Sequence, residues 1–589
     1  MYKNTNALLD LVDDILQRVS PYLRRNPPLD ILDLWPSSGI WSSKINHFLQ
    51  PRRHVLVEPH STYHSILEPL IQSKPCYKLL AEPIYGKRDW PDFITTHFPE
   101  QGPSVQQKPG VLPKNDTLLI LANLPAPTSN KDHCTPGRWW LRFLEDCLQQ
   151  DGLNVYGTVR VLAMSPYNDL PLMLPRTAAD RKRLGSLAET LGLHNIEIAS
   201  SNEFEHWHTS HGWDAIYNNR KRVAERAAAQ NIVTPHNREL PPLERVPELE
   251  ARGVRGHTKG SPYTPRVCLP QHKDILNTIA AGEAAGKEPM GEVPDPTSRE
   301  AIKKRGFAIT KLARDNTAAY IRQKLANMRL HIDEETRKLA RAAADANETP
   351  ENLKVLDEQI ASLQLNFAAE VSKTHYTQSR FYDTLIDDGR LACTSNNLDD
   401  SQLMWDRRPF EPLLMNADEI WFSGKPSGII YFEAQEKPSA LQKILHLPSP
   451  AQSDALARFH AVIGLTNTRS TLTAGEIGKL AFPALSTNQL VQAVPSLATF
   501  ASKRIKPGSG PMPLSDPTLD PVTNYQDNIE YDLSEVRLRI LSMATIADMV
   551  VEYGKVGNQL PAQDLSRLLG GTLTTAQLGQ ELTRLKRYC

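Results

Sequence analysis

Between Leu29 and Ser200 short apolar runs alternate with stretches of helical periodicity, the pattern of a parallel sheet whose strands are joined by helices. Five runs predict strands: Asp30 to Leu34, His54 to Val57, Tyr77 to Leu80, Thr117 to Leu121 and Val155 to Leu162. Each is short and bounded by proline, glycine or polar residues, as expected of buried parallel strands. Ahead of them Leu8, Val12, Ile15 and Val19 recur at helical spacing among Asp10, Asp13 and Asp14. That predicts a packed first helix, and neither a secretory signal nor an arginine-rich presequence is legible there.

Further along, from about Asn218 to Pro296, the periodicity dissolves and ten prolines intervene, which predicts an irregular, partly disordered insertion. Regularity returns from Ser298 to about Asp388. One helix is expected to carry Ile321, Leu325, Met328 and Ile332; a second, opened by Thr349 and Pro350, carries Leu353, Leu356, Ile360, Leu363 and Phe367. Two antiparallel helices zipped along these stripes are expected, with an intermolecular coiled coil as the alternative. The run Ile429 to Glu433 predicts a strand that returns to the sheet. Pro438 to Cys589 is mostly helical in pattern, broken by a loop around Lys503 to Pro521. The organisation so read is an α/β domain over 1–217, a proline-rich insertion over 218–297, a basic helical hairpin over 298–390, a returning segment over 391–437 and a helical C-terminal domain over 438–589.

Composition narrows this picture. With 40% hydrophobic and 23% charged residues the chain is expected to fold rather than form a rod or a disordered tail. Basic and acidic residues number 67 each, so any nucleic-acid footprint must be local. The six cysteines form no C-x-x-C pair and no zinc spacing, which suggests reduced thiols in an intracellular compartment. No run of about 18 apolar residues offers a membrane span.

Candidate chemistry concentrates after the first strand. Asp33-Leu34-Trp35-Pro36-Ser37-Ser38-Gly39 reads as a strand end, a tight turn and the start of a helix near Trp41. In a doubly wound sheet such a turn approaches a nucleotide-like ligand, and an acid after the second strand takes its ribose hydroxyls. Glu58 follows Gly39 by 19 residues, the expected spacing, and Asn123-Leu124-Pro125 ends the fourth strand, at the edge where ligands bind.

These residues resemble the S-adenosylmethionine-dependent rRNA adenine dimethyltransferases, and more closely the fungal mitochondrial transcription factor B branch of that family. Asp33 to Gly39 is similar to the first cofactor motif, Glu58-Pro59 to the ribose-binding acid, Glu82 to the acid beside the cofactor adenine, and Asn123-Leu124-Pro125 to the start of the N-L-P-Y motif. The stretch Trp405-Asp406-Arg407-Arg408-Pro409-Phe410-Glu411-Pro412-Leu413 also looks like the fungal branch. For Glu82 a plain solvated loop acid is the rival reading. The resemblance implies a class I methyltransferase (Rossmann-like) fold with a helical insertion and a helical C-terminal domain. It further implies a cofactor site of Asp33, Ser37, Gly39, Glu58, Glu82 and Asn123, with Asn123, Leu124 and Pro125 as the catalytic set that would orient an adenine amine.

Two departures bear on activity. Ala126 stands where the family has a base-stacking tyrosine, and losing one stacking partner costs about 1–3 kcal/mol of base binding. Ser37 stands at a glycine position, where a positive φ would add strain on the order of 1 kcal/mol. Both point to a fold kept for binding. The expectation is therefore a mitochondrial matrix transcription initiation factor that helps a single-subunit RNA polymerase at promoter DNA. A working dimethyltransferase of small-subunit rRNA, or a non-catalytic factor of the mitochondrial ribosomal small subunit, are the rivals. Compartment and partners come from the resemblance alone.

Local charge supplies the candidate nucleic-acid contacts. Arg299 to Arg341 holds twelve basic residues against five acids, among them Arg299, Lys303, Lys304, Arg305, Arg322 and Arg329. A solvated helix face would read the same way. A second candidate is the glycine-interleaved run with Arg255 and Lys259, equally legible as a plain linker. His206, His208 and His211 lie close together without a further ligand at metal spacing, and no nucleophile-elbow sequence is present, so neither a metal centre nor a hydrolase is expected.

Overall fold

The computed structural model describes residues 5–81, 90–102, 109–124, 135–201, 212–248, 261–285, 296–375, 382–393, 403–416, 419, 426–556 and 560–571. Helix α1 (Thr5–Arg25) precedes β1 (Asp30–Leu34), α2 (Ile40–Leu49), β2 (Arg53–Val57), α3 (His64–Ser73), β3 (Tyr77–Leu80) and β4 (Lys114–Asn123). Then come α4 (Pro136–Gln149), β5 (Thr158–Pro166), α5 (Arg183–Leu191) and β6 (Gly192–Ser201), with β7 (Leu413–Met415) and β8 (Ser427–Ala434) far along the chain. Together the strands make an eight-stranded sheet in the order β3-β2-β1-β4-β5-β8-β6-β7. Only β8 runs against its neighbours β5 and β6. The result is a mixed α/β, mostly parallel sheet, consistent with a Rossmann-like fold.

Every residue of β1 is buried, because alternate side chains enter different cores. Ile31 joins Leu119, Leu121 and Ile45 beneath α1 and α2, whereas Leu32 and Leu34 join Val55, Val57 and Ile120 on the opposite face. Within α1, Val12, Ile15 and Val19 are buried as their spacing requires. The five expected strands are all present, the last starting three residues later than expected because Gly152–Asn154 forms a 3-10 turn before it. Sequence pattern passed over β6: Asn195 and Glu197 interrupt its apolar run, yet both are buried, Asn195 on the Met173 carbonyl and Glu197 on Arg176 at 2.7 Å.

The proline-rich insertion is more regular than expected. Helix α6 (Trp213–Ala229) continues past Asn218, and α7 (Pro270–Ala285) packs along the first half of α8 (Pro296–Ala343). Prolines occupy the connectors, which α8 straps down. Arg266 pairs with Asp315 at 2.5 Å, Asn316 accepts from the Thr264 amide, and Val246 is buried with Ile275, Ile279, Ala308 and Leu312. At 48 residues α8 is about 72 Å long. Its second half forms the expected antiparallel hairpin with α9 (Pro350–Lys373), tied by Lys324–Glu370 at 2.5 Å. Leu325, Ile332, Leu353 and Ile360 are fully buried there.

The loop read between Lys503 and Pro521 is flanked by a two-stranded antiparallel sheet that the pattern did not reveal, β9 (Ser502–Ile505) with β10 (Ile529–Asp532). One continuous apolar cluster joins a face of the large sheet, the α8–α9 hairpin and the C-terminal helices; Leu32, Ile332, Leu353, Phe459 and Ile546 all belong to it. No helix among the described residues is long and apolar enough to cross a membrane.

Candidate functional site

The turn between β1 and α2 lies at the carboxyl edge of the sheet. Its backbone takes positive φ at every second residue: Trp35 at 57°, Ser37 at 54° and Gly39 at 73°. Glycine would serve at all three positions, and a left-handed conformation costs an L-residue about 1–2 kcal/mol. Only Gly39 is glycine. A Cβ there would also come within 2.7 Å of Leu67 and 3.0 Å of Leu70, so this residue lets α3 close on the turn. Trp35 is 3% exposed and belongs to the main apolar core, where its burial offsets the backbone cost. The sequence flagged Ser37 and not Trp35, because a tryptophan at the end of a strand reads as a core residue and carries no sign of a positive φ.

Glu58 leaves β2 directly beneath this turn. Its Oε2 accepts from the Ser37 amide and its Oε1 from the His60 amide, both at 3.0 Å. The His64 Nε2–H donates to the Glu58 carbonyl at 2.9 Å. Burial pushes the Glu58 carboxyl above its ordinary value, with the two amides pulling in the opposite direction. Only 1% of Glu58 is exposed. From the end of β4, Asn123 Nδ2 donates to Ser37 Oγ at 3.2 Å, while Asn123 Oδ1 is buried without a partner. Leu124 is buried and its amide is held by the Met164 carbonyl at 3.0 Å.

Thus Ser37, Gly39, Glu58, Asn123 and Leu124 converge as the sequence suggested. Asp33 does not join them. It is buried between β1 and β2, with an oxygen 3.3 Å from His54 Nε2. Glu82 and Pro125 lie outside the described residues, as do Ala126, Arg255, Lys259 and the three clustered histidines.

Whether these residues suit S-adenosylmethionine can be judged from their bonding. Each Glu58 oxygen accepts one amide and keeps a second lone pair that could take a ribose hydroxyl, but the side chain is 1% exposed, so a ribose reaches it only if the turn shifts. Ser37 closes the gap to Asn123, and Leu67 and Leu70 fill the space beside Gly39. Within the turn Ser37 binds Glu58, Trp35 and Asn123, and Asn123 Oδ1 has no partner among the described residues. Among the described residues no group of three histidines, cysteines or carboxylates is placed to hold a metal, and Cys76, Cys147 and Cys268 are free thiols.

The basic residues of α8 divide into two sets. Arg329 is buried against Asp333 at 3.3 Å and Glu535 at 2.6 Å, so in this packing it braces the hairpin instead of facing outward. Arg322 is largely buried as well, and desolvation lowers its pKa. Arg305 is tied to Glu283 at 3.1 Å and Lys304 to Glu300 at 2.8 Å. In the second half of α8 Lys324 pairs with Glu370 and Lys338 with Glu335, while Arg337 and Arg341 lie at its far end; the first half leaves Arg299, Lys303, Lys311 and Arg314, all exposed. At 100° per residue these four, together with Phe307, which is 66% exposed, share a face opposite the Ala308 and Leu312 side that packs on α7. Lys311 and Arg314 belong to the twelve basic residues already counted, and Phe307 is the residue that the charge count passes over. The signal for grouping them with Phe307 was helical spacing, which a count of charges ignores.

No family model matches this sequence, and no curated protein matches it significantly.

Proposed function

We propose that the protein is a nucleic-acid-binding factor built on a class I methyltransferase fold that has given up methyl transfer, acting as a mitochondrial transcription initiation factor for a single-subunit RNA polymerase. The observation that carries this reading is the turn itself: a backbone with three positive-φ positions, two of them filled by Trp35 and Ser37, over a Glu58 whose oxygens are both taken by amides. Strained backbone of this kind collects at ligand sites, and here two of the three positive-φ positions carry side chains where a ligand-binding turn favours glycine. The sheet order supports the fold, since a single reversed strand between β5 and β6 is the arrangement of class I methyltransferases. The exposed Arg299–Lys303–Phe307–Lys311–Arg314 face supports nucleic-acid binding, because it offers phosphate contacts around an aromatic ring that can stack. In promoter-dependent transcription with purified mitochondrial polymerase, adding this protein raises specific initiation. A lack of stimulation by well-folded protein refutes the reading.

One observation favours the working dimethyltransferase. Asn123 Oδ1 is buried and unpartnered, positioned as an acceptor for an amine hydrogen. That reading requires methyl incorporation into small-subunit rRNA and its loss in Asn123→Ala. The α8 face serves RNA as well as DNA, so a ribosomal factor would instead co-sediment with small subunits through a high-salt wash.

A further inference from the structure

The Trp405–Leu413 stretch plays no part in the turn described above. It lies at the other edge of the sheet, where β6 begins and β8 ends. Trp405 is buried between two guanidinium groups, Arg408 at 3.9 Å and Arg176 at 4.3 Å from its ring centre. Arg408 is committed internally: it pairs with Glu411 at 2.8 Å and donates to Asn219 and to the Trp405 carbonyl. Its neighbour Arg407 is not. Arg407 makes no ion pair or side-chain hydrogen bond among the described residues, and its Nε is buried without a partner.

Arg407 lines a cleft of about 480 Å³ together with Arg25, at the end of α1, and Arg226, in the last turn of α6. Arg226 donates to the Arg408 carbonyl, and Arg25 has no carboxylate partner among the described residues. One carboxylate in the wall, Glu433, is neutralised by Lys114 and accepts from the Tyr431 hydroxyl at 2.7 Å. Burial holds the His194 imidazole below its ordinary pKa, so this wall residue is neutral at neutral pH. The ends of α1 and α6 each carry about half a negative charge, which leaves a clear positive excess against three guanidinium groups. The remaining walls combine the polar Asn195 and Gln230 with apolar and aromatic groups: Tyr22, whose ring is 4.9 Å from that of His194 and 5.5 Å from that of Tyr431, with Leu193, Met404 and Pro409.

From this geometry we infer that the cleft is a second ligand site, which recognises a nucleotide phosphate through Arg407, Arg25 and Arg226 and receives the sugar and base against Tyr22, Met404 and Pro409. Guanidinium groups match phosphate oxygens in a planar fork. The volume lies within the roughly 300–1,000 Å³ typical of small-molecule sites. The nucleotide is either free or one unit of a single strand, and the phosphate chemistry is the same for both. The site is separate from the α8 face and from the β1–α2 turn, so it stands whether or not the transcription reading holds.

The test is fluorescence titration of the full chain with AMP, with inorganic phosphate, and with a labelled single-stranded 12-mer, the last in a Lys303→Glu, Lys311→Glu background to silence α8. AMP or the 12-mer binds, and Arg407→Ala weakens that binding tenfold or more. Arg407→Lys, which keeps the charge but loses the fork, weakens it severalfold; Lys221→Ala, exposed elsewhere on α6, leaves it unchanged. AMP binding comparable to that of the 12-mer identifies a free nucleotide, and binding of the 12-mer alone identifies a strand. The proposal is overturned if neither probe binds, if Arg407→Ala binds both like the parent chain, or if phosphate alone binds as tightly as AMP. Circular dichroism and thermal melting of Arg407→Ala separate a lost contact from a lost fold.

Discussion

Glu58 serves as a structural clamp in this molecule. Its two oxygens hold the Ser37 and His60 amides, so Glu58→Gln leaves one amide facing an NH2 group instead of an acceptor. Hydrogen bonds to charged groups are worth about 1.5–3 kcal/mol, and the substitution lowers stability by about 2–3 kcal/mol with no ligand present. Urea unfolding measures this; an unchanged midpoint would mean that the carboxylate is there for a ligand. A second residue-scale effect comes from His460, wholly buried near Arg183 with neither ring nitrogen bonded, which lowers its pKa to about 3. Above pH 6.5 the ring is neutral in both folded and unfolded chains. Below it the unfolded chain takes up a proton that the folded chain refuses, so stability falls from pH 6.5 toward pH 3, by roughly 3 kcal/mol at pH 4. Glu145 and Asp146, pushed up to about 7 by burial, act in the opposite sense between pH 7 and 4. The difference between His460→Phe and the parent chain isolates the histidine: their stability gap shifts in favour of the variant as pH falls, and a gap independent of pH would contradict the assignment.

At the scale of elements, α8 separates bracing cations from available ones. Lys303→Glu with Lys311→Glu reverses two charges on the outer face, weakening nucleic-acid binding and lowering the slope of log K against log salt by about 2, with little change in melting temperature. Arg329→Ala does the reverse: removing it leaves Asp333 and Glu535 short of a partner, costing about 2–4 kcal/mol of stability while the salt slope stays put. Melting curves and binding isotherms on the same samples check both arms. The contrast also marks how far the sequence could be read. Regular periods were legible: the strands β1 to β5, the packed α1 and the α8–α9 stripes all appear where the spacing put them. Elements stabilised by distant side chains were not, because local pattern carries no trace of a partner. Strand β6 hides behind Asn195 and Glu197, whose partners are a carbonyl and an arginine some 20 residues away, and the proline-rich connectors are ordered by Asp315 and Asn316 on another helix. Charge counting likewise assigned Arg329 to a ligand, although its partner Glu535 lies far along the chain.

Across the whole molecule, the sheet and its additions share one core. Arg181, fully buried, donates to the Arg539 and Leu541 carbonyls at 2.7 and 2.6 Å, and Asp387 holds Arg537 and Arg539 at 2.9 and 2.6 Å. These contacts fasten the segment before α5 and the helix Tyr382–Cys393, which packs on α8, to the C-terminal region, and the same apolar cluster runs through the sheet, α8 and that region. The candidate site was legible in outline because Glu58 and Asn123 sit at motif spacing. Its closure was not, since closure depends on φ at Trp35 and on α3 packing against Gly39. The central proposal is that this Rossmann-like sheet carries a β1–α2 turn that no longer takes a methyl donor. Calorimetric titration with S-adenosylmethionine tests it most directly, using protein whose nucleic-acid binding is shown intact in the same preparation. No saturable heat up to millimolar donor is the predicted result; stoichiometric binding in the micromolar range would contradict the account.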